Sequence, residues 1–300
     1  LLLDAEDTTD PKSFLRDAAD NPTFIGIAGV TRGQTRSDEL LTGLGLSGEV
    51  SGWSIDLTAS RFELLKDRGR QSDGVDVVTG IIPDSGIVTD KDAHWTSLEA
   101  SAERTFGAQR VALGASYAGY AGENRTGAVS DWRGGVPATI RNSSGGETRL
   151  VGVFAQDAIA LTPIIEATLG LRYESWRASD GFLSDGGTRV DYASRSEDAL
   201  SPKLALTFRP DDATELVASA AWATRFPTIG ELYQASLIGY GPNVGQIDLD
   251  GFDPDLKPER GFDLQLTGSR RFGNVKLTLS GFRQAVDDTL FGQTILVPSP

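Results

Sequence analysis

The sequence predicts an all-β fold, an antiparallel up-and-down transmembrane β-barrel of which these residues form a part. Three observations predict it. Five pairs of segments alternate apolar and polar residues, connections between segments alternate short and long, and each segment runs about ten residues or more. Period two marks strands with unlike faces. Tight turns at one end and long loops at the other are the rhythm of a membrane barrel, and ten residues exceeds the ~5–6 usual in globular strands.

Taken in order, the first pair spans 37–47 and 50–63, joined by Gly48-Glu49. Here Trp53, Ile55, Leu57 and Ala59 share one face, against Ser54, Asp56, Thr58 and Ser60. The second pair, 94–106 and 109–120, turns at Gly107. The third, 147–161 and 164–176, turns at Thr162-Pro163 and sets Ala167, Leu169, Leu171 and Tyr173 against Thr168, Gly170, Arg172 and Glu174. In the fourth, 199–209 and 214–226, Leu200, Leu204, Leu206 and Phe208 oppose Ser201, Lys203, Thr207 and Arg209. The last, 259–272 and 275–286, turns at Gly273-Asn274. Long polar connections are expected at 64–93, 121–146, 177–198 and 227–258. A soluble sandwich produces the same alternation. Strand length and the gathering of Trp53, Trp95, Phe106, Tyr120, Trp176, Phe208 and Trp222 towards strand ends favour lipid outside, with aromatic girdles at the interfaces.

Composition narrows the function. With 28 Lys and Arg against 42 Asp and Glu, the net charge of −14 argues against nucleic acid as partner, because phosphates repel an acidic surface. The chain has no Cys, so it holds neither a disulfide nor a thiolate metal site. The longest nearly apolar run, 216–223, already contains Ser219 and falls far short of the ~20 residues of a membrane helix. A start at Leu1, the absence of Met and an end at Pro300 lead to the expectation that 1–300 is a piece of one β-barrel domain within a longer protein.

Motifs in the second half sharpen this. Leu200-Ser201-Pro202-Lys203-Leu204 opens one block, and a strand ending Arg225-Phe226-Pro227-Thr228-Ile229-Gly230-Glu231-Leu232-Tyr233 follows. After a long loop comes Asp253-Pro254-Asp255-Leu256-Lys257-Pro258-Glu259, and Phe154-Ala155-Gln156-Asp157 with Gly170-Leu171-Arg172-Tyr173-Glu174 lies upstream. In this order they resemble the barrel of TonB-dependent outer-membrane receptors, with Asp253 where that family has Asn. The resemblance is good over 147–290; residues 1–146 match only as barrel hairpins.

The resemblance implies about 22 strands around a plug, of which ten are legible here, with long extracellular loops and short periplasmic turns. It implies that the N-terminal plug and the closing strands lie outside this chain. It also implies active uptake of a large scarce nutrient, a ferric siderophore or cobalamin-like ligand, across the outer membrane of a Gram-negative bacterium. The implied partners are outer-membrane lipid and lipopolysaccharide, the ligand, and the TonB energy-transducing complex. A passive porin-like channel, a lipid-modifying barrel and a soluble secreted carbohydrate-binding β-protein remain the alternatives.

No catalytic set, cofactor or metal site is expected. His94, the only histidine, adjoins Trp95 at a strand start, and no Gly-x-Ser-x-Gly elbow exists. Asp67, Asp73, Asp76, Asp84, Asp90 and Asp92 fall in one expected loop without calcium-loop spacing. Glu99 and Glu103 share a face that would point into the lumen. Because binding residues concentrate on loops over rigid scaffolds, Trp132, Arg133, Tyr233, Tyr240 and Phe252 are the candidate ligand contacts. The motif residues Arg225, Pro227, Glu231, Leu232, Tyr233, Pro254, Leu256, Lys257, Pro258 and Glu259 are expected to be structural. Pro227 and Pro258 cannot donate to a ladder and so mark strand ends at the rim.

Overall fold

The computed structural model describes residues 2–7, 11–27, 29–185, 187–233 and 255–290. They form one antiparallel sheet of twelve strands and a single helical turn. The strands are β1 (Leu2–Asp7), β2 (Gly33–Val50), β3 (Trp53–Ser72), β4 (Gly86–Phe106), β5 (Gln109–Val129) and β6 (Ile140–Thr162). Then come β7 (Ile165–Asp185), β8 (Thr188–Asp191), β9 (Arg195–Asp211), β10 (Thr214–Arg225), α1 (Ile229–Leu232), β11 (Glu259–Phe272) and β12 (Val275–Asp287). Each strand pairs with its sequence neighbour, except that β9 passes over the short β8 to pair with β7. Among the described residues no ladder joins β1 to β12, so the sheet is unclosed.

All ten anticipated strands are present, in the anticipated order. Two were missed, the acidic β1 and the short polar β8, because neither is long enough to display a period. Strands also run further than expected at the long-loop end. The 64–93 connection shrinks to 73–85 and the 121–146 connection to 130–139. Beyond the bilayer both faces meet water, so alternation fades while the backbone still requires its hydrogen bonds. The ladder continues through Lys66-Asp67-Arg68-Gly69-Arg70, and Arg68 forks onto Asp90 of the neighbouring strand, with Nη2 donating to Oδ2 at 2.8 Å.

The first turn also moves. Gly48 and Glu49 stay in the ladder, opposite Ile55 and Ser54, and the chain reverses at Ser51-Gly52 instead. Those two residues take φ of 51° and 77°, the positive pair that a twist-matched two-residue hairpin needs. Gly107 and Gly273 open their hairpins at φ 58° and 57°. A Cβ at either meets no neighbour within 4 Å, so backbone conformation alone penalises a side chain there. Gly273→Ala is expected to cost about 1 kcal/mol, read as a lowered urea midpoint of the refolded full-length barrel with unchanged slope.

Register rows separate the two faces. One row runs Ile55, Ala102, Leu113, Ala155, Leu171 and Pro202 across β3 to β9. The next runs Ser54, Glu103, Ala112, Gln156, Gly170, Lys203, Ala221, Asp263 and Gln284 across β3 to β12. On the apolar face Leu57, Leu98, Leu113, Leu171, Leu204, Leu206 and Leu264 are all exposed. An apolar surface spread over this many strands far exceeds the few hundred Å² a soluble monomer tolerates, and it is the face a bilayer covers. The polar face is the inner wall. There residues 226–233 fold back over β6 and β7, burying Trp176 and Ala178 beneath Phe226, Ile229, Leu232 and Tyr233.

Candidate functional site

The motif residues build that inner latch. Arg225, at the end of β10, sits opposite Glu259, at the start of β11, and its Nε meets Glu259 Oε2 at 2.9 Å. Its Nη2 and Nη1 also fork onto Glu231 at 2.6 and 3.1 Å. Glu231 in turn completes a capping box: it accepts from the Thr228 backbone N–H at 2.8 Å, while Thr228 Oγ1 accepts from the Glu231 N–H at 3.4 Å. The chain can therefore leave the sheet after Arg225 and turn at once into α1. Pro227 and Leu232 are fully buried, and Leu256 packs against the same cluster. Pro258 is buried and Lys257 is exposed. Pro254, Tyr240 and Phe252 lie outside the described residues.

Tyr233, a candidate ligand contact, is only 3% exposed; its ring stacks on Tyr192 at 5.1 Å and fills the space over Gly146 and Gly181. A Cβ at Gly181 would lie 2.3 Å from that ring, which is why the wall beneath it is glycine. Burial raises the Tyr233 phenol above its ordinary pKa.

Trp132 is likewise inaccessible. It packs with Val88 and Val129 as a small core at the long-loop end. Its backbone N–H donates to the Asp84 carbonyl at 2.9 Å, and Arg70 Nη1 donates to the Trp132 carbonyl at 3.3 Å and to that of Gly135 at 2.9 Å. Arg133 is half exposed, lies over the Trp132 ring and donates to Asp84 Oδ1 at 2.6 Å, which holds that carboxyl below the usual carboxylate range. Loops 73–85 and 130–139 are thereby tied together. The six aspartates expected in one loop are divided: Asp67 lies in β3, Asp90 and Asp92 in β4, and only Asp73, Asp76 and Asp84 remain in the connection. Among the described residues they do not converge as a metal-binding group.

Three aromatics assigned above to a lipid girdle instead face inward. Trp95 shares its face with Ser97 and Glu99, Tyr120 with Ser116, and Trp176 with Glu174 and Arg172. One register row on this inner wall reads Leu41, Phe62, Trp95, Tyr120, Thr148 and Ala178. Phe62 and Trp95 stack at 4.0 Å, and Phe226 of the latch stacks on Trp176 at 5.7 Å. Trp95 and Tyr120 stay 40% and 39% exposed, on a wall that is otherwise polar. Parity alone could have revealed this ledge, since each ring lies an even step from a charged or hydroxyl neighbour. Trp53 and Phe106, edge to face at 5.9 Å, and the tilted pair Trp222 and Phe262 do lie on the outer face near strand ends, as a girdle requires.

Between ledge and latch lies a cavity of about 810 Å³, bounded by Trp95, Tyr120, Leu150, Trp176, Phe226 and Ile229. Its one strong cation, Arg225, is already held by two glutamates. The arrangement accepts a flat apolar or aromatic group and leaves any anionic charge to be met elsewhere.

A meander of long strands, lipid-compatible outside and polar inside, defines an outer-membrane-type β-barrel wall. The family model for TonB dependent receptor-like β-barrels matches residues 3–299, and the chain belongs to that family. Among solved structures it is similar to the copper transporter OprC, with a TM-score of 0.61 and 16% identity over 89% of this chain and 41% of that one. It is also similar to the siderophore receptor PiuA from Acinetobacter baumannii, with a TM-score of 0.55, 16% identity and 84% and 40% coverage. The ferripyoverdine receptor of Pseudomonas aeruginosa gives 0.55, 13%, 94% and 38%. At these identities the likeness is one of fold. The chain spans between 38% and 41% of the length of these receptors. No curated protein sequence matches it.

Proposed function

We propose that the full-length protein is an outer-membrane receptor that imports a large, scarce nutrient by TonB-dependent transport, with a ferric siderophore as the first candidate and a cobalamin-like ligand as the second. The observation that carries this reading is the aromatic ledge with its cavity of about 810 Å³, facing the lumen about midway along β4 and β5 and beside the end of β10. That size and lining suit a small-molecule site, and a plain diffusion pore has no use for one. Membership of the receptor family supports it, as do structural neighbours described as a siderophore receptor and a ferripyoverdine receptor. In this reading the plug, the contact with TonB and the closing strands come from sequence outside residues 1–300. The wall described here does no covalent chemistry; it grips the ligand while the plug moves.

Trp95 and Tyr120 are the proposed wall contacts, with Arg133 the accessible member of the loop candidates. The test is uptake of labelled ferric siderophores and of cobalamin by a Gram-negative host lacking its own receptors and expressing the full-length protein, with and without TonB. Uptake of one ligand that stops when TonB is removed is the expected result. Ligand entry independent of TonB would replace this reading with a passive channel. Trp95→Ala with Tyr120→Ala is expected to weaken equilibrium binding of the transported ligand at least tenfold, about 1.4 kcal/mol or more, without changing the amount of folded receptor.

A further inference from the structure

Tyr233 occupies a place that the wall is deformed to provide. Along β6 and β7 the register shifts between Gly145 and Glu147, so that Gly146 faces both Asp180 and Gly181. Asp180 takes φ 54°, a left-handed conformation that suits a bulge re-aiming the chain. The ring of Tyr233 fills the hollow over this bulge. A Cβ on Gly146 would stand 2.8 Å from it, and the three atoms nearest a Cβ on Gly181 all belong to it, at 2.3 to 2.8 Å. Gly181 has no positive φ of its own, so the ring is what excludes a side chain there. The Tyr192 backbone N–H donates to the Gly181 carbonyl at 2.8 Å, and the Tyr192 ring stacks on Tyr233.

Neither Leu232 nor Tyr233 borders the cavity between ledge and latch, but Phe226 and Ile229 do. All four side chains share one buried cluster with Trp176 and Ala178. The cavity therefore has two kinds of wall. Trp95, Tyr120, Leu150 and Trp176 project from strands, whereas Phe226 and Ile229 are in place only while the latch is docked. A ligand that touches both walls binds the docked state, and its apparent affinity scales with the docked fraction.

We propose that Tyr233 is a positioning residue for ligand binding: seated in the socket of Gly146 and Gly181, it holds Phe226 and Ile229 as one wall of the cavity, so that latch docking and ligand binding stabilise each other. The inference rests on the reading that this cavity takes the transported ligand, and it adds the element that sets the affinity. Tyr233 touches no ligand; its effect reaches the site through the latch.

The experiment uses the purified full-length receptor in neutral detergent. The backbone N–H groups of Glu231, Leu232 and Tyr233 bond back to Thr228 and Ile229, so their hydrogen exchange reports the docked fraction with no ligand present. Quenching of tryptophan fluorescence reports binding of two probes, the ferric complex of 2,3-dihydroxybenzoate, which presents flat aromatic rings, and cyanocobalamin. Tyr233→Ala and Gly181→Ala are each expected to speed that exchange and to weaken binding of the quenching probe at least tenfold. The two together should do no more than either alone, because the ring and the new Cβ compete for one space. Tyr233→Phe keeps the ring and is expected to hold both readings within about twofold of the unsubstituted receptor. Bound probe should in turn slow exchange at 231–233. Heat-modifiable migration on gels reports that each variant is folded. Effects of Tyr233→Ala and Gly181→Ala that add, or probe binding that stays unchanged while exchange speeds up, overturn the proposal and leave the cavity as a ligand site. Quenching by neither probe in the unsubstituted receptor overturns the reading of the cavity itself, and the proposal with it.

Discussion

Leu171→Arg is expected to destabilise the full-length barrel in a bilayer by about 2–4 kcal/mol, the cost of a cation on the lipid face near the midplane. One residue further on, Arg172 already stands on the opposite face at no such cost. Its Nη2 donates to Ser116 Oγ at 2.9 Å, and its Nε pairs with Glu174 at 2.9 Å, inside the polar wall. Adjacent positions therefore differ by the whole price of burying a charge in hydrocarbon. Reversible urea unfolding from lipid vesicles measures it, with Thr168→Arg on the inner face as the control, expected to change stability by less than ~1 kcal/mol. If the two substitutions cost the same, the apolar face is a protein core and the sheet belongs to a soluble fold.

The second large effect concerns the latch. Leu232, the last residue of α1, is fully buried, and Leu232→Ala is expected to cost about 2–5 kcal/mol, because a cavity remains where the side chain was. That loss falls on residues 226–233 before it reaches the barrel as a whole, since the buried cluster joins this short segment to Trp176 and Ala178 of β7, with Leu150, Tyr192, Ala199 and Leu256 only partly buried against it. Protease cutting within 226–233 should appear while the strands remain protected, and Trp176 fluorescence should shift to the red as Phe226 lifts off. Arg225→Met acts more weakly. The Arg225 and Glu231 side chains are 45% and 30% exposed, so solvent screens the ion pair. Cleavage unchanged by Leu232→Ala would mean that the latch is held by residues outside the cluster described here.

Much of the wall was legible before any coordinates. Trp53 to Ala59 and Ala167 to Tyr173 announced their faces because a pleated strand sends successive side chains to opposite sides, and lipid and water demand opposite chemistry. Where that demand stops, legibility stops as well. Arg68, Asp90 and Arg125 extend the strands into water on both sides, so nothing in their order distinguished ladder from loop. The latch was partly legible: Pro227 and Pro258 marked the strand ends correctly, but the forked grip of Arg225 on Glu231 and Glu259 joins residues from two elements separated by a long connection. The ledge was legible in principle. Trp95, Tyr120 and Trp176 were read by their nearness to strand ends, whereas their parity with Glu99, Ser116 and Glu174 places them inside.

By itself, then, the sequence determined the fold class and ten of the strands, because these follow from a local period of two read against lipid and water, while the family resemblance came from the motifs of the second half. Only the tertiary structure decided which loop residues are accessible. Trp132 and Tyr233 look like free aromatic contacts in the chain, yet one is enclosed by Val88 and Val129 and the other by Tyr192, Gly146 and Gly181. Burial in a loop depends on what distant segments bring to the same place, and no local periodicity records that meeting.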